Sequence, residues 1–290
     1  MTTIAVVILT LNEELNLPKA LASVAGRCPV VVVDSGSRDR TEAIAREAGA
    51  EFVVHAFRDY ASQRNWALEQ VQERFEWVFF LDADEELTPK LWQEIEAMTR
   101  RGEVDGAYVT LDVRLLGHRL VRGEFSRARV LRLMRPRLAR FGRGINERVD
   151  DRDLRVTVLK HRLVHRDARP IGEWFKKHVD YATREAMAYV DGLDRPQRLA
   201  EINLRTAAGR VAVLRRVYNK LPLFVRPFLN YGRVMLLLGA WRDGLPGVMH
   251  AGMHALWYPV LVDLLIYEEL LRREGALAAE YAPRWGGEDV

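Results

Sequence analysis

Cysteine is almost absent. The single Cys28 excludes an internal disulfide and any zinc site built from thiolates, and that fits a reducing compartment. No P-loop GxxxxGK[ST] occurs, no GxGxxG follows the first predicted strand, and there is no HExxH. Kinase, dehydrogenase and zincin readings fall with them; "GRGIN" at Gly142 is no dinucleotide fingerprint. The opening "MTTIAVVILTLNEE" has no basic leader, and its apolar run is short and β-branched, so no signal peptide is expected. A clean membrane span is missing too, since one needs about 20 predominantly apolar residues. The run 221–241 is broken by Arg226, Pro227 and Arg233, and the run 245–266 by Pro246, His250, His254, Pro259 and Asp263.

Acids are the other shortage, and it is local. Across residues 202–242 there are eight basic residues and no acidic one, and across 114–162 there are fifteen Lys/Arg against five Asp/Glu, within a net charge of only +4. One-signed basic faces suit phosphates, nucleic acid or anionic lipid. The second basic segment is interleaved with long aliphatic runs, which favours helices lying in or re-entering an anionic membrane surface over nucleic-acid binding. The alternative is a helical subdomain or dimer interface using the same apolar faces.

What remains is a globular composition, 49% hydrophobic and 29% charged, long enough for one large domain or two smaller ones. Its first hundred residues alternate strand and helix patterns. "TIAVVILT", "PVVVVDS", "EFVVH" and "WVFFLDA" read as strands, mostly continuous β-branched or apolar runs of the doubly buried kind. Between and after them, "NLPKALASVA", "RDRTEAIAREAGA", "DYASQRNWALEQVQ" and "TPKLWQEIEAMTRR" read as helices, with Asp59 and Thr88 as caps. The alternation implies an α/β fold with a mostly parallel sheet, whose ligands sit beyond the carboxyl ends of the strands. Thr10, Asn12, Glu13, Asp34, Asp82 and Asp84 all fall at that rim. "GAYVTLDVRLL", "RVLRLM" and "RVTVLKHRLVH" continue as strands, and "IGEWFKKHVDYATREAMAYVDGL" as a long amphipathic helix.

Asp82 and Asp84 are two apart, so on an extended segment they project the same way and would hold one oxygen-preferring divalent ion, Mg²⁺ or Mn²⁺, able to bridge a diphosphate. An Asp-x-Asp alone is weak evidence, and a haloacid-dehalogenase-type phosphatase uses one as well. Against that phosphatase, the pair follows the fourth strand and Glu85 stands where Thr or Val would be expected. Glu85 and Glu86 are expected to face solvent or the start of the helix capped by Thr88.

Taken in order, "VVILTLNEELNLPKALASV", "VVVDSGSRDRT", "QRNWAL" and "FLDADEEL" resemble the successive motifs of family 2 glycosyltransferases with the GT-A fold. The likeness is densest over residues 3–91 and thinner to about 190. It is strongest toward lipopolysaccharide-core β-glucosyltransferase-like proteins, and "RPFLNYGRVMLLLGAWRDGLPGVMHAGMHA" is similar to their membrane-proximal segment. The resemblance implies a GT-A catalytic domain over residues 1–193 and a helical, membrane-proximal region over 194–290. It implies an inverting enzyme that moves a sugar from a nucleotide-diphosphate sugar to a lipid-linked saccharide, at the cytoplasmic face of a bacterial inner membrane. The nucleotide sugar would be met by Thr10, Asn12, Glu13, Asp34 (through the base), Arg64 (through the diphosphate) and Asp82. Asp84 and His165 would hold Mg²⁺ or Mn²⁺, with His161 a weaker competitor for the latter role. Glu147 in "GRGINERV" would be the base, with Asp150, Asp151 and Asp153 as competitors; Asn146 stands where relatives often have His. Ser37 and Asp39 are expected only to cap a helix. A polyprenyl-phosphate acceptor and a non-catalytic nucleotide-binding scaffold are the competing readings.

Overall fold

The computed structural model describes residues 3–142, 149, 154–192, 213 and 217–276. The expected alternation is present as β1 (Ile4–Thr10), α1 (Leu17–Val24), β2 (Val30–Asp34), α2 (Thr41–Glu47), β3 (Glu51–Val54), α3 (Tyr60–Val71), β4 (Trp77–Asp82) and α4 (Pro89–Arg101). Both anticipated caps are made. The Ser62 N–H donates to Asp59 at 2.8 Å, and the Leu91 N–H donates to Thr88 Oγ1 at 3.2 Å, with Pro89 at the first helical position. One element was not foreseen, the two-residue strand β5 (Glu85–Glu86), reached through a turn at Ala83-Asp84.

The second half adds β6 (Gly106–Leu115), β7 (His118–Arg119), β8 (Arg129–Met134) and β9 (Val156–His165) to the same sheet. Its order is β3-β2-β1-β4-β8-β6-β9-β5, with β7 paired to β6. The sheet is parallel from β3 to β4 and becomes mixed where β8 enters antiparallel between β4 and β6. β5 pairs antiparallel with β9, setting Glu85 opposite His165.

Alternate residues of each central strand feed opposite cores, which is why those strands read as unbroken apolar runs. Val6, Ile8, Phe79 and Leu81 join Leu17 and Leu21 of α1 and Leu91 and Ile95 of α4. Val7, Val31, Val33, Val78 and Phe80 join Ala67 and Leu68 of α3. Each fully buried large side chain contributes roughly 2 kcal/mol. Cys28 packs at the margin of the first core, and burial pushes its thiol up to about 12, so it is unreactive at neutral pH.

The chain forms two compact units: residues 1–170 with 238–247, and residues 171–237 with 248–290. The expected boundary at 193 therefore falls inside the second unit. The helix α5 (Ile171–Val190) belongs there because its Ala182 and Ala186 pack with Val262 and Ile266 of the last helix, α8 (Tyr258–Arg273), which follows α6 (Arg226–Gly232) and α7 (Gly244–Ala251). A buried pair, Arg226 with Asp263, ties α6 to α8, and Asp263 also takes the Phe224 N–H at 2.8 Å. His254 sits edge-on to Trp174 at 4.9 Å and 4.4 Å from His250, a packing role. Among the described residues no helix is long and apolar enough to cross a membrane.

One clamp ties the start of β6 to the residue just before β9. Asp105 accepts the Arg155 backbone N–H at 3.0 Å and both sides of its guanidinium at 2.9 Å. The bonds from Arg155 outweigh burial and lower the carboxyl to about 2 from an ordinary 3.8. A pKa depressed by folding stabilises above the unfolded value and ceases to as pH falls through the folded one. Asp105→Asn should melt below the parent at neutral pH, and circular-dichroism melts should show that gap closing between 3.8 and about 2.

Candidate functional site

The rim at the carboxyl ends of β1, β2 and β4 is stitched together by its own polar residues. Asp34 is buried and saturated: Oδ1 accepts the Thr10 hydroxyl at 2.7 Å and the Ser37 hydroxyl at 2.5 Å, and Oδ2 accepts the Gly36 and Ser37 N–H groups at 2.8 and 2.7 Å. As placed, Asp34 and Thr10 shape the turn after β2, and a base N–H would have to share an occupied oxygen. Asn12 holds a left-handed backbone (φ 54°), with its N–H on Ser37 Oγ at 2.8 Å and its Oδ1 taking the Arg38 N–H at 2.9 Å. That conformation is one Asn tolerates by bonding locally. Asp39 caps Thr41 at 3.0 Å, as expected, and also takes the Glu14 N–H at 3.0 Å.

Glu13 does not line an open rim. It is 8% exposed, accepts Asn16 Nδ2 at 2.9 Å and Arg169 Nη1 at 3.0 Å, and so locks the β1 loop to the segment after β9. Asp167 completes this knot, taking Arg169 Nε and Nη2 at 2.9 Å and Asn16 Nδ2 at 3.1 Å. Desolvation works against the Arg169 charge, but Glu13, Asp167 and Asp84 more than restore it and raise its pKa.

Asp82 and Asp84 part company at the turn. Asp82 is the last residue of β4, and its carboxylate is gripped by Arg132 of β8 through both Nη atoms and by Arg64 of α3 at 3.2 Å. Burial would raise the Asp82 pKa; Arg132 and Arg64 overcome it and hold the carboxyl well below the usual range. Arg64 is not a solvated helix arginine: it lies over the Phe80 and Phe141 rings at 5.1 and 5.5 Å. Asp84 lies in the turn instead, with Oδ1 3.5 Å from His165 Nδ1 and Oδ2 3.9 Å from Arg169.

Glu85 corrects the expectation of a solvent-facing acid. It is fully buried, accepts the Asp82 N–H at 2.9 Å and Arg132 Nη2 at 2.6 Å, and burial raises its pKa well above the ordinary carboxylate range. Glu86 pairs with Arg166. His161 faces away from this group, on Glu94 at 2.8 Å.

Arg132, Glu85, Arg169, Asn16 and Asp167 were not anticipated. Arg132 had a signal: in "RVLRLM" it is the charged residue between Leu131 and Leu133 of an inward-packed strand, and a buried charge demands partners. Asn65, from "QRNWAL", also had a role to find. It bonds both the N–H and the C=O of Phe141, at 2.8 and 2.9 Å, and Phe141 in turn bridges Val149. Glu147, with Asn146, Asp150, Asp151 and Asp153, lies outside the described residues.

A divalent cation suits what this rim offers. Among the described residues no group of three or more His, Cys, Asp or Glu is gathered to hold a metal. Asp84 and His165 nevertheless present one carboxylate and one imidazole nitrogen, and that nitrogen is buried with no hydrogen-bond partner. Mg²⁺-type sites commonly use one or two carboxylates, with waters and substrate phosphates for the rest. The pair supplies two donors of the kind such an ion would take.

The sequence model of glycosyl transferase family 2 matches residues 5–169, from β1 through the Arg169 knot. The chain belongs to glycosyl transferase family 2. This glycosyltransferase is 28% identical over 269 residues to the lipopolysaccharide core biosynthesis glycosyltransferase LpsC of Rhizobium meliloti, with 90% of each chain covered. It is 29% identical over 213 residues to an uncharacterized glycosyltransferase of Rickettsia bellii, covering 69% of this chain and 64% of that one. Among solved structures it is similar to glucosyl-3-phosphoglycerate synthase of Mycobacterium tuberculosis in complex with Mn²⁺, UDP and glucosyl-3-phosphoglycerate. There the TM-score is 0.43 at 20% identity, over 60% of this chain and 75% of that chain.

Removing the cation from the Glu13–Arg169–Asp167 knot leaves one buried and one half-buried acid without it. Arg169→Met should therefore cost the glycosyltransferase about 3 kcal/mol in urea unfolding. Arg74→Met, which breaks the exposed pair with Glu51, should cost under about 1 kcal/mol. Equal losses from the two would deny the knot a special structural role.

Proposed function

We propose that this glycosyltransferase transfers a sugar, with inversion, from a nucleotide-diphosphate sugar to a lipid-linked saccharide such as lipopolysaccharide core. The observation that carries the reading is the buried, unpartnered Nδ1 of His165 beside Asp84, at the end of the nucleotide-side strands and among Arg64 and Arg169. Near-full-length similarity to LpsC supports the acceptor class.

In the proposed step the acceptor oxygen bonds to the anomeric carbon from the face opposite the diphosphate. The carbon–oxygen bond to the diphosphate breaks with its electron pair, and the acceptor proton passes to the Glu147 carboxylate. A Mg²⁺ or Mn²⁺ ion held by Asp84 and His165 would neutralise charge on the departing diphosphate. Arg64 stands beside Asp82 on the same rim and offers a second cation. Asp82, held rigid by two arginines, has an acceptor edge for a donor hydroxyl, its side chain being 37% exposed.

The second unit supplies the membrane contact in this reading. Leu236 and Leu237 are 74% and 81% exposed and Phe228 61%, within the segment that has no acidic residue. Apolar side chains among basic ones suit peripheral or monotopic attachment to the anionic cytoplasmic leaflet.

A thermal-shift screen of nucleotide sugars should find at least one donor that raises the melting temperature, and raises it further with Mn²⁺. Asp84→Ala should abolish transfer while leaving the protein folded, because the Asp84 carbonyl that receives the Arg166 N–H is retained. A fully active, metal-independent Asp84→Ala enzyme would refute the reading. Co-sedimentation with phosphatidylglycerol vesicles should weaken as salt rises. Undiminished binding to phosphatidylcholine vesicles at high salt would exclude the electrostatic part.

A further inference from the structure

We propose that the first unit carries a docking lip of its own for an anionic lipid surface, formed by the tip of the β6–β7 hairpin and the segment 238–247. This contact deepens the membrane attachment proposed for the enzyme and rests on that reading. It lies, however, in the unit that holds the donor rim, and the exposed leucines of the second unit take no part in it.

Backbone pairing brings the pieces of the lip together. Leu115 pairs with His118 across the turn Leu116-Gly117, and the Leu120 N–H donates to the Val113 carbonyl at 2.9 Å. Just after the hairpin, Asp243 Oδ2 accepts the Val121 and Arg122 N–H groups at 2.8 and 2.7 Å. The Leu238 carbonyl accepts the Gly123 N–H at 3.4 Å. All of these residues belong to the first unit. The lip leaves four large apolar side chains in solvent: Leu116 is 63% exposed, Val121 59%, Trp241 51% and Leu245 70%. Across 114–129 and 238–247, Arg119, Arg122, Arg127, Arg129 and Arg242 are also exposed, against one exposed acid, Glu124. Apolar and tryptophan side chains among arginines match the acyl boundary and the anionic headgroups of a lipid surface. A second copy of the same face would instead set arginine against arginine.

Leu116 carries the case furthest. It has φ 49° and Gly117 has φ 82°, the two positive values that a two-residue hairpin turn of type I′ requires and that Asn-Gly supplies best. Glycine meets the demand at the second place. At the first stands a leucine, in a conformation that L side chains rarely adopt and with most of its surface in water. The fold gains little from it, and a lipid surface gives it something to be buried in. The hairpin also stands where such a contact would serve transfer. Val113 lies opposite His165 in the parallel pairing of β6 with β9. The tip is three residues farther on, roughly 10 Å beyond the donor rim at the usual rise of a strand. At that spacing the rim meets saccharide standing off the membrane rather than the lipid itself.

Co-sedimentation of the full chain with phosphatidylglycerol vesicles reads binding, and thermal melts read the fold. Leu116→Asn should melt at or above the parent temperature, because Asn suits the turn, yet bind the vesicles roughly fivefold or more weakly. Unchanged binding overturns the inference. A second measurement locates the contact. An environment-sensitive fluorophore on Leu116→Cys should shift to the blue when the vesicles are added, and one on Val54→Cys, exposed on the edge strand β3, should not. Cys28 needs no replacement, since its buried thiol does not react. Vesicle binding with the Leu116 label still in water overturns the lip and leaves attachment through the second unit standing. No binding to the vesicles at all overturns both. Equal shifts at both labels mean non-specific adsorption and overturn the lip. A blue shift without lipid that grows with protein concentration makes a second copy the occupant and overturns it as well.

Discussion

Arg132 reaches from β8 to Asp82 and Glu85, and without that guanidinium the buried strand β4 would end in acids with too few cations to balance them. Asp82, Asp84 and Glu85 lie within four residues, and burial makes each uncompensated charge costly. Their counter-charges come from three places distant in sequence: α3, β8 and the segment after β9. The antiparallel entry of β8 beside β4, and the return of β9 to pair with β5, are the topological means of bringing those cations in. The mixed half of the sheet is therefore more than an extension of the parallel half; it closes the electrostatics of the parallel half's ligand edge.

Much of this order was legible from the residues. Continuous apolar runs marked doubly buried strands, and Asp59, Thr88 and Pro89 marked helix starts, because each signal is local. The partners of the acids were not legible, since they depend on which strands become neighbours. Treating Asp82-Ala83-Asp84 as an extended pair suggested that a metal answers the repulsion. The strand in fact stops at Asp82 and turns, so protein arginines answer most of it and the two carboxylates meet different neighbours. Glu13 and Asp34 do follow the carboxyl ends of β1 and β2, but a sequence does not reveal that their oxygens are already engaged by Arg169, Asn16, Thr10 and Ser37.

Family membership and geometry bear on different parts of the same problem. The match over residues 5–169 covers the unit in which the charged rim is assembled, and the matched span ends at Arg169, the residue that ties Glu13 to Asp167. The likeness to LpsC extends through the helical second unit as well. There Arg226 and Asp263 perform in miniature what Arg132 does in the sheet: one arginine, flanked by Tyr189 and Tyr218, satisfies one buried acid and so fixes how two helices meet.

Asn65 bears on how such an enzyme changes. Its amide pairs with both backbone groups of Phe141 as a neighbouring strand would, and Phe141 is bridged to Val149, so the two ends of the intervening stretch are joined at a fixed gate-post beside Arg64. Whatever residues occupy that stretch, the sheet receives the same two attachment points. A change of length or chemistry between those two points can then leave the strands behind them undisturbed.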